Sequence, residues 1–177
     1  KAEYQELVDK YPHVDLITKK YMGADDLING NTRYCLWIKD NQLELANKIP
    51  PVVDRIDKCA AFRKLSKKES TRKKSATSHK FDEIKHRDSQ AIIFPVISSY
   101  RRKYIPVGFI NSDTVVSNKG QVIYNPEIFV FGILSSKMHM VWLATTSSRM
   151  RNDYQYSITL SYNTFPFPNI SEDQKKR

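Results

Sequence analysis

The hydrophobic pattern of this chain changes period partway along. From Val52 to Leu65 the apolar residues recur every three or four positions, and from Ala91 they run in short blocks broken by proline. In the first part, Leu7, Val8 and Tyr11 predict a short helix that Pro12 ends. Met22–Asn31, with Gly23, Asn29 and Gly30, reads as a loop. Arg33–Ile38 (RYCLWI) predicts a strand, and Leu43–Ile49 a short helix stopped by Pro50 and Pro51. Val52, Ile56, Cys59, Phe62 and Leu65 mark one face of a longer helix, with Asp54, Arg55, Lys58 and Lys64 off that face.

In the second part, AIIFPVIS and YIPVGFI predict two strands, each interrupted by proline. Proline has no amide donor, which assigns these strands to sheet edges or bulges. Val115–Val116 and Gln121–Tyr124 predict two more strands around a Lys119-Gly120 turn. Asn125, Pro126 and Glu127 supply a helix start: a cap, a proline in the first turn and an acid near the positive end of the dipole. Ile128 to Thr146 is apolar nearly all round, predicting one long buried helix near 126–147. Gln155–Tyr162 alternates like a strand, and Pro166 and Pro168 end the ordered pattern before a polar tail. The sum is an α+β fold, a mainly antiparallel sheet with packed helices.

Composition supports a folded chain. Of 177 residues 40% are hydrophobic, and ten Tyr, eight Phe and two Trp argue against disorder. No apolar run approaches the ~18–20 residues of a membrane span, so no membrane partner is expected. The first residues are charged and lack the apolar stretch of a secretory leader. Without an initial Met, the chain reads as part of a longer protein. Cys35 and Cys59 lie in apolar patterns and are expected as buried free thiols in a reducing compartment.

Charge changes the picture most. The chain carries 29 Lys and Arg against 19 Asp and Glu, a formal +10. Arg63–Lys80 (RKLSKKESTRKKSATSHK) holds eight of those cations against one acid, Glu69, so about seven of the ten net charges sit there. Such a concentration favours a polyanion, most often nucleic acid. Two further basic segments are Arg101-Arg102-Lys103 and Arg149-Met150-Arg151-Asn152. All three fall at element ends or in connections, where Lys and Arg can neutralise phosphates and where Arg or Asn can read base edges. Arg149 also has a structural reading, as a cation at the end of the long helix.

Catalytic signatures are missing. There is no phosphate-cradling glycine loop, no HExxH, no CxxC and no serine in a GxSxG context. Neither a cofactor nor a metal site is expected in this chain. His139, in an apolar helix, is expected as a hydrogen-bonded core residue. Glu83-Ile84-Lys85 matches only the second half of a metal-nuclease signature.

Four segments carry a family resemblance: Lys20–Gly30 (KYMGADDLING) leading into Arg33–Trp37 (RYCLW); Arg102–Phe109 (RKYIPVGF); Phe131–Trp142 (FGILSSKMHMVW); and Asp153–Ser157 (DYQYS) with Tyr162–Pro168 (YNTFPFP). In order and spacing the chain resembles the target recognition domain of the large single-chain restriction–modification enzymes similar to MmeI. The resemblance covers about residues 18–168, with 1–17 as a connector and 169–177 as a polar tail. It implies that this chain is not itself an enzyme. It reads double-stranded DNA for a polypeptide that also carries an endonuclease and an S-adenosylmethionine-dependent adenine methyltransferase, with Mg2+ for cleavage, in a bacterial cytoplasm. The methyltransferase domain of the same polypeptide is then its partner. Asn125-Pro126-Glu127 does not match the family's adenine-holding Asn-Pro-Pro-Tyr/Phe motif. The shared motifs are mostly scaffold, so the reading residues fall between them. Arg72, Arg101 and Arg102 are expected at base edges, and Lys67, Lys68, Lys73, Lys74 and Lys103 on phosphates. Arg149, Arg151 and Asn152 are second-line candidates. The alternatives are a non-specific RNA or DNA module, a protein-docking specificity subunit, and a nuclease built on Glu83 and Lys85.

Overall fold

The computed structural model describes residues 2–175. The first half of the chain runs through α1 (Ala2–Lys10), β1 (Thr18–Met22), α2 (Ala24–Asn29), β2 (Arg33–Leu36), α3 (Leu43–Asn47), α4 (Pro50–Lys64) and α5 (Glu69–Lys73). There follow β3 (Ala91–Pro95), β4 (Ile97–Ser98), β5 (Gly108–Ile110), β6 (Thr114–Val116) and β7 (Gly120–Tyr124). Last come α6 (Ile128–Leu134), α7 (Lys137–Thr146), β8 (Ser148–Met150), β9 (Asp153–Gln155) and α8 (Glu172–Lys175). Helices beside small, mostly antiparallel sheets make this the α+β class expected from the pattern. The chain divides into two units, Lys1–Tyr21 with Thr32–His86, and Met22–Asn31 with Arg87–Arg177.

In the first unit β1 and β2 pair antiparallel, Thr18 opposite Leu36 and Tyr21 opposite Arg33. Its core gathers Val14, Ile17, Ile38, Ala46, Ile49 and Val52. Pro50 and Pro51 do more than stop α3: they form the first turn of α4, where a missing N–H costs nothing. The apolar face expected on α4 is buried only at its start. Val52 is fully buried, whereas Phe62 is 76% and Leu65 86% exposed.

The second unit corrects several expectations. Met22–Asn31 is not a plain loop but holds α2: the Gly23 N–H donates to the Asp26 carboxylate at 2.7 Å, and Gly30, at φ 68°, closes the helix left-handed. The residues that read as loop are its caps. β3, expected at a sheet edge or bulge, is central between β5 and β7 and wholly buried. Ile92 and Phe94 enter one core, Ala91 and Ile93 another. Both faces being covered, the alternation vanishes. Pro95 is tolerated because β5 pairs only as far as Ile93, so the missing donor faces no strand. At Val96 the chain changes sheets: its N–H donates to Lys119 O at 3.0 Å, while its carbonyl accepts from Tyr156 N at 2.7 Å. The next residues form β4 against β9. Gly120 allows the close approach of β7, since a Cβ there would lie 2.6 Å from Val116 Cγ1 and 3.2 Å from Ile93 Cδ1.

The apolar stretch expected as one buried helix is two, α6 and α7, bent by 62° at Ser135-Ser136. Ser136 caps α7, its Oγ accepting from His139 N at 3.1 Å. Asn125 is no cap; it sits at φ 48°, and Glu127 holds the cap position of α6. Burial is one-sided: Leu134, His139, Met140 and Leu143 are inside, while Ile128, Met138 and Val141 are exposed. No single helix among the described residues is long and apolar enough to cross a membrane. His139 is the hydrogen-bonded core residue expected, fully buried with Nε2 2.9 Å from the Tyr156 hydroxyl. Of Gln155–Tyr162 only Gln155 is strand; Ile158–Tyr162 is a π turn that Ser157 Oγ caps by accepting from Leu160 N. Nor do Pro166 and Pro168 end the order. Phe165 is buried, with its ring edge-on to His139 and Trp142, and Phe167 packs on it.

Candidate nucleic-acid interface

The longest basic segment lies in the first unit, on the last turn of α4, on α5 and on a 3-10 turn over Lys74–Thr77. Helical pieces this short do not hold themselves in water. Two guanidinium groups tie them together. Arg63 donates from Nη1 to the carbonyls of Lys74 (2.9 Å) and Thr77 (3.1 Å), and from Nη2 to that of Lys80 (2.7 Å). Arg72 donates from Nη1 to the carbonyls of Ser66 and Lys67, both at 2.9 Å. Its Nε and Nη2 remain, the side-on edge suited to a bidentate partner.

The lysines of this segment divide into two sets. Side chains of Lys67 and Lys68 are exposed and have no partner among the described residues. Lys73 pairs with Glu69 at 2.8 Å, and Lys74 pairs with Asp82, whose carboxyl it holds below the usual range. Lys80 and His79 both reach Asp40, and their hydrogen bonds, Lys80's first, lower that carboxyl too. The Lys73–Glu69 pair, exposed on both sides, is weak and exchanges readily for a phosphate.

In the second unit β9 joins the other two basic segments. It pairs on one side with β4, Ser98 opposite Tyr154, and on the other with β8, Arg149 opposite Tyr154. Antiparallel pairing sends the chain after Ser98 toward the Asp153 end of β9, the end where the β8–β9 hairpin turns through Arg151 and Asn152. The Tyr100 N–H donates to Asp153 Oδ1 at 3.3 Å and fastens the two together. Arg101, Arg102, Lys103, Arg149 and Arg151 thus emerge at one end of one small sheet, all exposed. Arg149 is no helix cap. It lies 4.3 Å over the Tyr154 ring and donates to Asn152 O at 3.0 Å. Arg101 lies over Tyr100 and donates from Nε to its hydroxyl at 3.3 Å. Arg151 turns the hairpin at φ 58°. Side chains of Arg102, Lys103 and Arg151 have no partner among the described residues.

The cations are legible in the sequence, but the framework that carries them is not. Nothing in the order of residues announces that Arg63 collects three carbonyls or that Asp153 fastens Tyr100. The β-sheet register places 98–103 beside 148–153, and the alternation of QYSITLSY, read as a strand over Gln155–Tyr162, set that strand too late in the chain to show it.

Other chemistry is sparse. Among the described residues no group of three or more His, Cys, Asp or Glu could hold a metal ion. Glu83 and Lys85 pair with each other at 2.7 Å in solvent, which lowers the carboxyl and raises the amine. Cys35 and Cys59 are free and half-buried, and burial pushes the Cys35 thiol up to about 11, which leaves it unreactive. They line a cavity of about 580 Å³ in the first unit together with Tyr4, Leu7, Tyr34 and Ile56.

A family model described as the MmeI target recognition domain matches residues 1–169. DNA methyltransferase A of Bacillus subtilis (strain 168) is 39% identical over 174 residues, which are 98% of this chain and 20% of that protein. A solved structure of the type IIL restriction-modification enzyme MmeI in complex with DNA is similar over 99% of this chain and 24% of its own, with a TM-score of 0.92 and 33% identity. The chain therefore spans 20% and 24% of the lengths of these two relatives.

Proposed function

The chain belongs to the MmeI target recognition domain family, and on that premise we propose that it reads a short double-stranded DNA sequence for a longer restriction–modification enzyme. The observation that carries the reading is the gathering of five cations at one end of the β4-β9-β8 sheet, in a fold shared with a protein solved on DNA. The major groove admits a two-stranded ribbon, and a hairpin tip flanked by a basic turn fits it. Arg101 and Arg102 are the base-edge readers, with Arg151 and Asn152 at the hairpin tip and Arg149 packed behind them. Arg72, held at one edge by two carbonyls, presents its side-on edge to a base. Lys67, Lys68, Lys73, Lys74 and Lys103 contact phosphates, which position the domain without reading sequence.

On this proposal the rest of the polypeptide supplies the chemistry. Its methyltransferase domain is the partner of this one and binds S-adenosylmethionine, its endonuclease uses Mg2+, and the whole works in the bacterial cytoplasm. The test compares two substitutions on cognate and random duplexes. Arg102→Ala is expected to lower cognate affinity by roughly 1–3 kcal/mol and to relax preference at one base pair. Lys67→Ala is expected to weaken all sequences alike and to flatten the salt slope by about one unit. Equal losses on cognate and random DNA for Arg102→Ala would remove it from the base edges, and an unchanged slope would remove Lys67 from the phosphates.

A further inference from the structure

We propose that Arg63 is a positioning residue: it makes no contact with DNA but fixes the backbone from which the cations between Lys67 and Lys80 project. The inference rests on the DNA-reading function proposed above. Arg63 is half-buried at the end of α4, and its two terminal nitrogens take the carbonyls of Lys74, Thr77 and Lys80. One planar fork thereby closes seven residues into a fixed loop.

The choice of partner matters. A carboxylate clamp would hold the loop but cancel part of its charge. Carbonyl acceptors hold it without using any lysine side chain of the loop, so those of Lys67 and Lys68 have no partner among the described residues and Lys73, Lys74 and Lys80 pair with exposed carboxylates. Arg72 treats Ser66 and Lys67 in the same way, so both ends of the segment are held by guanidinium–carbonyl bonds. Beyond these clamps the loop is held by the pairs of Lys73 with Glu69, Lys74 with Asp82, and Lys80 and His79 with Asp40. α5 and the 3-10 turn have five and four residues, and the cations within them repel one another. A lysine at position 63 would keep the charge but not the fork, because an ammonium is a compact point donor that does not span three acceptors in a plane.

The test is Arg63→Lys in the full chain, read in two ways. Amide hydrogen exchange of the free protein is expected to rise about tenfold or more across 72–80, as local opening becomes easier. Protection of Ile92–Phe94 in β3 is expected to hold, and Lys64→Gln, a neighbouring exposed cation, is expected to leave both regions as they are. Affinity of Arg63→Lys for the cognate duplex is expected to fall about tenfold, and Arg63→Gln, which removes the charge, is expected to leave the salt slope unchanged because Arg63 is not among the phosphate-contacting cations. Unaltered exchange over 72–80 would overturn the proposal. So would a slope reduced by about one unit in Arg63→Gln, which would make Arg63 a phosphate contact. Loss of protection in β3 as well would make it a general fold residue and overturn the proposal too. If the parent chain itself binds no DNA, the function proposed above fails, while the exchange result still decides whether Arg63 fixes the loop.

Discussion

His139 shows how far a single residue can shape this fold. It is fully buried, with Nε2 on the Tyr156 hydroxyl and Phe165 edge-on to its ring. Burial lowers its pKa from 6.5 to about 4, so the fold holds the neutral imidazole. The unfolded chain takes up a proton first as the pH drops. Stability is therefore complete above pH 6.5 and declines as the pH falls toward 4, by at most about 3 kcal/mol from this group. Urea unfolding at several pH values between 7.5 and 4.5 should show that decline, and His139→Gln should flatten it. A wild-type profile no steeper than the variant's would exclude His139 as its source. The identity of such a core histidine was legible from its apolar surroundings. The work of Arg63 and Arg72 was not, because a charged side chain turned back onto carbonyls looks the same in sequence as one facing solvent.

Elements were legible where period and length agreed, as in α1 and β6, and illegible where the signal lay in a break. Ile128–Thr146 is apolar nearly throughout, so its pattern hides the 62° bend at Ser135-Ser136. Ser136 marks that break by capping α7. Ser136→Ala should cost about 1 kcal/mol of stability in denaturant titration. No change would mean that packing alone sets the start of α7. β3 was hard to place for a related reason: Pro95 signals an edge or a bulge, and here it is the last residue of a central strand, just before the chain changes sheets. α2 was hidden because its six residues are framed by the glycines that cap it.

At the scale of the whole molecule, two units each present basic residues on short, constrained segments. In the first, guanidinium–carbonyl bonds shape a charged loop; in the second, strand β9 brings two distant segments together. Family membership was legible in four ordered motifs, whereas the grouping of Arg101–Lys103 with Arg149–Asn152 required the register. The most direct measurement is selection of bound duplexes from a randomised pool by this chain, at low and moderate salt, with sequencing of the bound fraction. The expected result is salt-sensitive binding with one enriched short asymmetric motif. Salt-sensitive binding without enrichment, or no binding at low salt, would contradict a domain that reads sequence.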